Sequence, residues 1–381
     1  MSTAKYCIGL PQMHLEPGER RVFLPEFVHN MEKLGAEIVL ENGYGSGLGL
    51  SEDDYLENTS HTRFADLDEV YQQDFVLVLR YPGDEMVKTM RAGACLVSML
   101  HYPTRPQRVA LLHHLCLRAV SLDSIKDDTG RRLVENLGSV AWNGMHISFN
   151  VLEKVYPAPG LYSPQRSPVR VTLLGAGAVG KLVVQAAVSY GDHQLRERLV
   201  NAGVPGVQVT VIDYDLTNHP GPMQKILSKT NILVDATQRI DPSRPVIPNT
   251  WLAWLPKHAV ITDLAVDPYT QDTQPPVVRG IEGIPQGNLD KYIFNSDDPD
   301  WDNTVPASIP SSNRRIVVSC YSWPGIFPEA CMSHYDQQLQ PLMKRLLKKG
   351  YEQLSPDGDY FESALYNATL KTWSKNQAQE R

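Results

Sequence analysis

Short, mainly apolar runs recur along the chain, and several end in a charged residue. Phe75–Leu79 ends at Arg80-Tyr81-Pro82, Ala94–Leu100 at His101-Tyr102-Pro103, and Arg118–Leu122 at Asp123. Runs of this length without alternation predict strands buried on both faces. The amphipathic stretches between them predict helices, and such alternation means a parallel sheet of α/β class. Two earlier runs, Tyr6–Leu10 and Ala36–Glu41, flank a helix over Glu26–Leu34 that Pro25 opens and Gly35 closes. Ser51 before Glu52-Asp53-Asp54 reads as a helix cap with an acidic first turn. Ligands of open parallel sheets gather at the carboxyl ends of the strands. Arg80, His101 and Asp123 are therefore expected along one edge.

The second half repeats the pattern. Asp128–Arg132 is expected to open a long helix over Leu133–Val155, with Arg131 and Arg132 at its start, followed by a Pro-rich joint at Pro157–Pro168. Strands are predicted at Val171–Leu174, Val207–Ile212, Asn231–Asp235, Ala259–Asp263 and Ile316–Ser319. A helical extension is expected at 192–202, and helices near 326–349 and 358–374 close the chain.

The strand at Val171–Leu174 runs into Gly175-Ala176-Gly177-Ala178-Val179-Gly180, a G-x-G-x-x-G that opens a helix. The first Gly permits the tight turn, the second lets backbone approach a pyrophosphate, and the third lets helix pack on strand. The helix N-terminus then offers unpaired N–H groups to the phosphates. The fingerprint's ribose-binding acid usually lies about 20 residues further on. Here Asp213, at the end of the next strand, is 33 residues past Gly180, with Asp215 as the competing choice. A carboxylate there accepts the ribose hydroxyls and repels a 2′-phosphate, which predicts NAD rather than NADP. Ala178 and Val179 within the loop, and Thr237 past the strand ending at Asp235, complete the expected cofactor contacts.

The composition narrows the class. A length of 381 residues allows two domains. A net charge of −7 offers no electrostatic footprint for nucleic acid. No run of about 18 apolar residues suggests a membrane span, and Met1–Tyr6 lacks the apolar core of a signal peptide. The cysteines at 7, 95, 116, 320 and 331 are dispersed, without a C-x-x-C, which predicts reduced thiols in a cytoplasmic protein. His113-His114 are adjacent helix positions that do not face one another, so no metal site is expected. Trp251 and Trp254 read as core.

Six stretches in order carry a resemblance to a known superfamily. They are Glu19-Arg20-Arg21-Val22-Phe23-Leu24-Pro25, Leu79-Arg80-Tyr81-Pro82, Met99-Leu100-His101, Asp127–Arg132, Asp263-Leu264-Ala265-Val266-Asp267, and Trp323–Ala330. Together they resemble the alanine dehydrogenase/transhydrogenase N-terminal superfamily, most nearly its lysine-forming saccharopine dehydrogenase type. The resemblance implies two Rossmann-like domains with a cleft between them, joined by long helices. A discontinuous substrate domain would cover 1–135 and 325–381, and an NAD-binding domain 136–324. It also implies roles: His101 as acid/base, Asp267 beside the nicotinamide, and Arg21 and Arg132 on substrate carboxylates. Asp123 is counted with the substrate contacts. The family places a Lys at the strand end where this chain has Arg80, which binds a carboxylate or polarises a carbonyl but does not give up its proton.

The leading expectation is an NAD-dependent oxidoreductase acting on the C–N bond of an amino acid or opine-like secondary amine. The rivals are an alanine-dehydrogenase-like enzyme on a primary amine and a non-catalytic NAD-binding regulatory protein. The expected partner is a small amino or oxo acid.

Overall fold

The computed structural model describes residues 6–239, 241–270 and 275–379; the stretch 1–5, read above for a leader, lies outside them. The chain divides into two compact units, one running to Asn136 and resuming at Phe327, the other Leu137–Ile326. The architecture is α/β, with two mostly parallel sheets.

The first unit holds β1 (Tyr6–Leu10), β2 (Ala36–Glu41), β3 (Thr62–Ala65), β4 (Phe75–Arg80), β5 (Cys95–Met99) and β6 (Arg118–Ser121). All are parallel, in the order β3-β2-β1-β4-β5-β6. The apolar runs become buried strands for the expected reason: Ile8, Ile38, Leu77 and Val97 line one face, while Val76, Val78, Leu96 and Ala119 line the other. Each such Val, Leu or Ile side chain removed from water contributes roughly 1.5–3 kcal/mol. The helix Pro328–Lys349 returns to this unit and lays Met332, Leu339, Leu342 and Leu346 on the first face. Strand β3 escapes the apolar pattern because it is a four-residue edge strand, Thr62-Arg63-Phe64-Ala65, and charged residues suit an edge.

Asp336 ties that returning helix to the helix Pro25–Lys33. Its Oδ2 accepts from the Leu24 backbone N–H at 3.2 Å, while its buried Oδ1 has no hydrogen-bond partner. Burial pushes its pKa up to about 8; the Leu24 N–H opposes the rise and Glu26 adds to it. A carboxyl raised in the fold stabilises below its unfolded pKa, and that contribution is lost as pH climbs through the folded value. Stability should thus fall between about pH 4 and pH 8, by an amount on the order of a few kcal/mol. Asp336→Asn keeps an acceptor for Leu24 without the charge. Thermal unfolding should show the variant more stable than the parent at pH 8.5 and close to it at pH 4; parallel pH profiles would refute this.

The second unit holds β7 (Val169–Leu174), β8 (Val207–Ile212), β9 (Ile232–Asp235), β10 (Val260–Asp263), β11 (Ile293–Phe294) and β12 (Ile316–Ser319). Their order is β11-β12-β10-β9-β7-β8, with β11 alone antiparallel among the described strands. Chain order reverses on either side of β7, the switch point at which ligands of such sheets bind.

Two boundaries differ from the expected ones. The long helix begins at Leu137 and ends at Val155, not at Leu133. Asp127 Oδ1 accepts from Thr129 N, Thr129 Oγ1 and Arg131 N, Gly130 takes φ +81°, and a bridge pairs Lys126 with Arg132. This side-chain-capped turn places Arg131 and Arg132 in a loop and not at a helix start. The last helix is split into Tyr360–Asn367 and Leu370–Gln379, because Thr369 pairs with Val120 and its Oγ1 accepts from Thr372 N.

Candidate active site

In the second unit, the glycine loop has the form a dinucleotide needs. Gly175 takes φ +91°, and a Cβ there would lie 2.8 Å from the Ala236 carbonyl oxygen. A Cβ on Gly180 would lie 2.2 Å from the Gly175 oxygen, so the helix packs hard against the turn. Around Gly177, by contrast, no atom lies within 4 Å of such a Cβ. Gly177 is the N-cap of the helix Ala178–Val188 and gives no side-chain cap, and Ala176, Gly177 and Ala178 are exposed. The first N–H groups of an 11-residue helix therefore face open space. Val179 is half-buried against the core. This cradle fits a pyrophosphate.

Asp213 directly follows β8 and is exposed; its Oδ1 accepts from Tyr214 N at 2.8 Å. Asp215 is exposed two residues on. Thr237 donates from N (3.0 Å) and Oγ1 (2.7 Å) to Asp235 Oδ1, which draws the chain past Gly175.

In the first unit, β4, β5 and β6 are neighbours, so Arg80, His101 and Asp123 lie along one carboxyl edge. Asp123 holds His101 twice: Oδ1 accepts the His101 backbone N–H at 3.1 Å, and Oδ2 lies 3.2 Å from Nδ1. Ser121 Oγ also donates to Oδ1, at 2.8 Å. Burial alone would raise Asp123, but the bonds from His101 hold its carboxyl well below the usual range. An ionised acceptor at Nδ1 assigns the proton there and leaves the Nε2 lone pair outward. The His101 side chain is 49% exposed, against 7% for Asp123. His101 sits at φ +52°, a conformation His tolerates better than most residues. Arg80 lies 3.6 Å from Glu16, and its side chain is 32% exposed.

Three expected substrate contacts look different in place. Asp123 is buried, with both oxygens engaged by His101 and Ser121. Arg21 is buried and already paired: Nε donates to Glu19 Oε1 at 2.8 Å and Nη2 to Oε2. Burial favours the neutral acid at Glu19, yet these bonds hold it below the usual range. Arg132 is exposed on the 126–132 turn.

The carboxyl edge of the second sheet carries a buried charge network. Asp263, ending β10, accepts from Arg279 and, at 2.9 Å, from Ser319 Oγ through Oδ2, and from Val266 N at 2.9 Å through Oδ1. Asp235, ending β9 beside it, is pushed up by burial, and its Oδ2 has no hydrogen-bond partner. Asp267 is paired with Arg239 at 2.7 Å. Glu19, Arg239 and Arg279 are the residues that reading the sequence missed. Glu19 had a signal in its i,i+2 spacing from Arg21; the two arginines had none, since both stand in loops without periodicity.

Among the described residues no group of three or more His, Cys, Asp or Glu could hold a metal ion, and no helix is long and apolar enough to cross a membrane. His113 bonds to Ser374 at 2.8 Å. Trp251 and Trp254 stack on each other at 5.0 Å and are only partly buried.

Residues 11–142 match the family described as "Alanine dehydrogenase/PNT, N-terminal domain". Over 190 residues, 48% of the chain, the protein is 24% identical to "NAD(P) transhydrogenase subunit alpha" of Haemophilus influenzae. Over 189 residues it is 26% identical to "Alanine dehydrogenase" of Bacillus subtilis. These matches span 36% and 50% of the two relatives' lengths. A solved "L-alanine dehydrogenase" is 17% identical, with a TM-score of 0.69 over 95% of this chain and 94% of its own. These matches show the alanine dehydrogenase/PNT pattern and do not show the saccharopine dehydrogenase type. The stretch 11–142 thus carries the alanine dehydrogenase/PNT N-terminal pattern, and the chain has the fold of an L-alanine dehydrogenase.

Proposed function

We propose that this protein is an NAD-dependent amino-acid dehydrogenase acting on a primary amine. The observation that carries the reading is the His101–Asp123 pair beside Arg80 at one strand edge. NAD, when bound, supplies the hydride acceptor; Gly175, Gly177 and Gly180 would cradle its pyrophosphate, Asp213 its ribose and Thr237 the chain beside it. The remaining work falls to the chain's own groups. Nε2 of His101 takes the proton released when water adds to the imine and returns it in the reverse direction. Asp123 orients the ring and balances the imidazolium that forms, the role of an acid behind a catalytic His. Arg80 offers a planar fork to the substrate carboxylate. With Arg in this place, His101 is the group left to move protons. Arg21, neutralised by Glu19, shapes the loop wall instead of supplying charge.

The relatives named alanine dehydrogenase support this primary-amine reading over the opine-like one. The test is NADH consumption with a panel of 2-oxo acids, each paired with ammonia, lysine or other amines. Turnover with ammonia and a small 2-oxo acid is expected. Turnover that requires an amino acid as the amine would favour the opine reading. NADH binding without turnover on any pair would leave a nucleotide-binding protein.

A further inference from the structure

Val266 is β-branched and sits at φ +53°, in the left-handed region that such residues avoid. A strained residue persists where its surroundings over-determine it, and such positions gather at functional sites. Here the surroundings are explicit. Asp263 Oδ1 accepts from Val266 N at 2.9 Å, and its Oδ2 is engaged by Arg279 and Ser319. The Asp263 carbonyl accepts from Trp323 Nε1 at 2.8 Å, and Leu264 N donates to the Asp235 carbonyl at 2.8 Å. The turn is held on every side up to Val266, and its next residue is Asp267.

Asp267 is held from the other direction. Arg239 Nη2 donates to Asp267 Oδ2 at 2.7 Å. The Arg239 side chain is only 6% exposed, against 36% for Asp267. Its guanidinium also donates to the carbonyls of Pro242 (3.3 Å), Arg244 (2.9 Å) and Val278. Three backbone acceptors thus fix the fork before it meets the carboxylate. A side chain that only needed a counter-ion would not require so rigid a donor, nor a strained residue directly before it.

We infer that Arg239 is a positioning residue for Asp267, and that the strained 263–267 turn exists to hold that carboxylate in one place. The inference rests on the proposed dehydrogenase reading, joined to the place beside the nicotinamide that the family resemblance implies for Asp267. A carboxylate pinned through Oδ2 presents its remaining oxygen in a fixed direction. That suits a substrate whose reacting centre carries N–H donors, a protonated amine or iminium, and not a 2-hydroxy acid. Arg239 acts through Asp267 and need not touch the substrate.

The experiment uses the full-length protein with Arg239→Met, Asp267→Asn, the double variant, and Val266→Gly. Thermal unfolding without substrate comes first. Each single charge variant should lower the Tm, and the double should lower it no further than the worse single, the signature of a coupled pair. Val266→Gly should match or exceed the parent Tm, because Gly adopts positive φ without strain. Titration of NADH fluorescence should give affinities within twofold for all variants. With the best oxo-acid and amine pair from the screen, kcat should fall at least tenfold for Arg239→Met and Val266→Gly, while KM for the oxo acid changes less than threefold. Additive Tm losses, a Val266→Gly protein that turns over like the parent, or loss of NADH binding along with kcat in Arg239→Met would each overturn the inference. If the parent turns over no pair at all, the dehydrogenase reading falls. The unfolding cycle and the Val266→Gly Tm then decide by themselves whether Arg239 and the strained turn form the clamp described.

Discussion

Replacing His101 with Asn is expected to lower turnover by about 10²–10⁴-fold, the usual worth of a positioned acid/base. Asn is the informative choice, because it tolerates the left-handed backbone at φ +52° that Ala would strain. It cannot accept and return a proton as imidazole does. NADH affinity should stay within twofold, since the glycine loop that would bind the cofactor lies in the other compact unit. Steady-state kinetics and NADH fluorescence titration on the same preparation check both halves. Asp123→Asn makes a companion case. It keeps the packing of a buried side chain but removes the charge that holds the Nδ1 proton, so Nε2 loses its assigned role as acceptor. Turnover should fall on a comparable scale. A His101→Asn protein that loses turnover and NADH affinity together would mark His101 as structural, and the amino-acid dehydrogenase reading would lose its base.

The second large effect is on stability. Arg279→Met is expected to destabilise the second unit by about 3–5 kcal/mol, the cost of leaving a buried charge without its partner. Arg279 and Asp263 are almost wholly buried, with side-chain exposures of 1% and 2%. Removing the guanidinium leaves Asp263 with only Ser319 Oγ and Val266 N to stabilise its charge, while Asp235 stands beside it as a second buried carboxyl. At roughly 2–4 °C per kcal/mol for a unit of this size, a Tm loss on the order of 10 °C should appear in calorimetry. Adding Asp263→Asn to Arg279→Met should recover part of the loss, because the orphaned charge is gone. A single variant within about 1 kcal/mol of the parent would mean the pair is held for orientation alone.

Two of the five non-glycine residues at positive φ among those described are His101 and Val266. One is the proposed base, and the other directly precedes the carboxylate of the proposed clamp. Both follow buried strands and are held by an aspartate, Asp123 in one unit and Asp263 in the other. Stabilising substitutions at these two positions are therefore expected to trade against activity.

What the sequence determined alone is local. A short, mainly apolar run of four or five residues is buried on both faces whatever its neighbours, so Phe75–Leu79 and Val171–Leu174 declared strands and, with the helices between, a parallel α/β fold. The residue that ends such a run stands at a strand's carboxyl edge, which made Arg80, His101 and Asp213 visible. The glycines of the 175–180 loop were legible for a similar reason, since their spacing answers to a backbone path. Local turn chemistry misled where side chains competed with the helix, at Asp127–Arg132 and at Thr369. Tertiary structure decided the partners. His101 meets Asp123 because β5 neighbours β6, and Arg279 meets Asp263 although both lie in a stretch with no helical or strand period between them. Charge pairing depends on which segments become neighbours, and hydrophobic periodicity carries no record of that. Hence the sequence offered Asp123 and Arg21 as substrate contacts, while in the fold each charge is already answered by another residue of the chain.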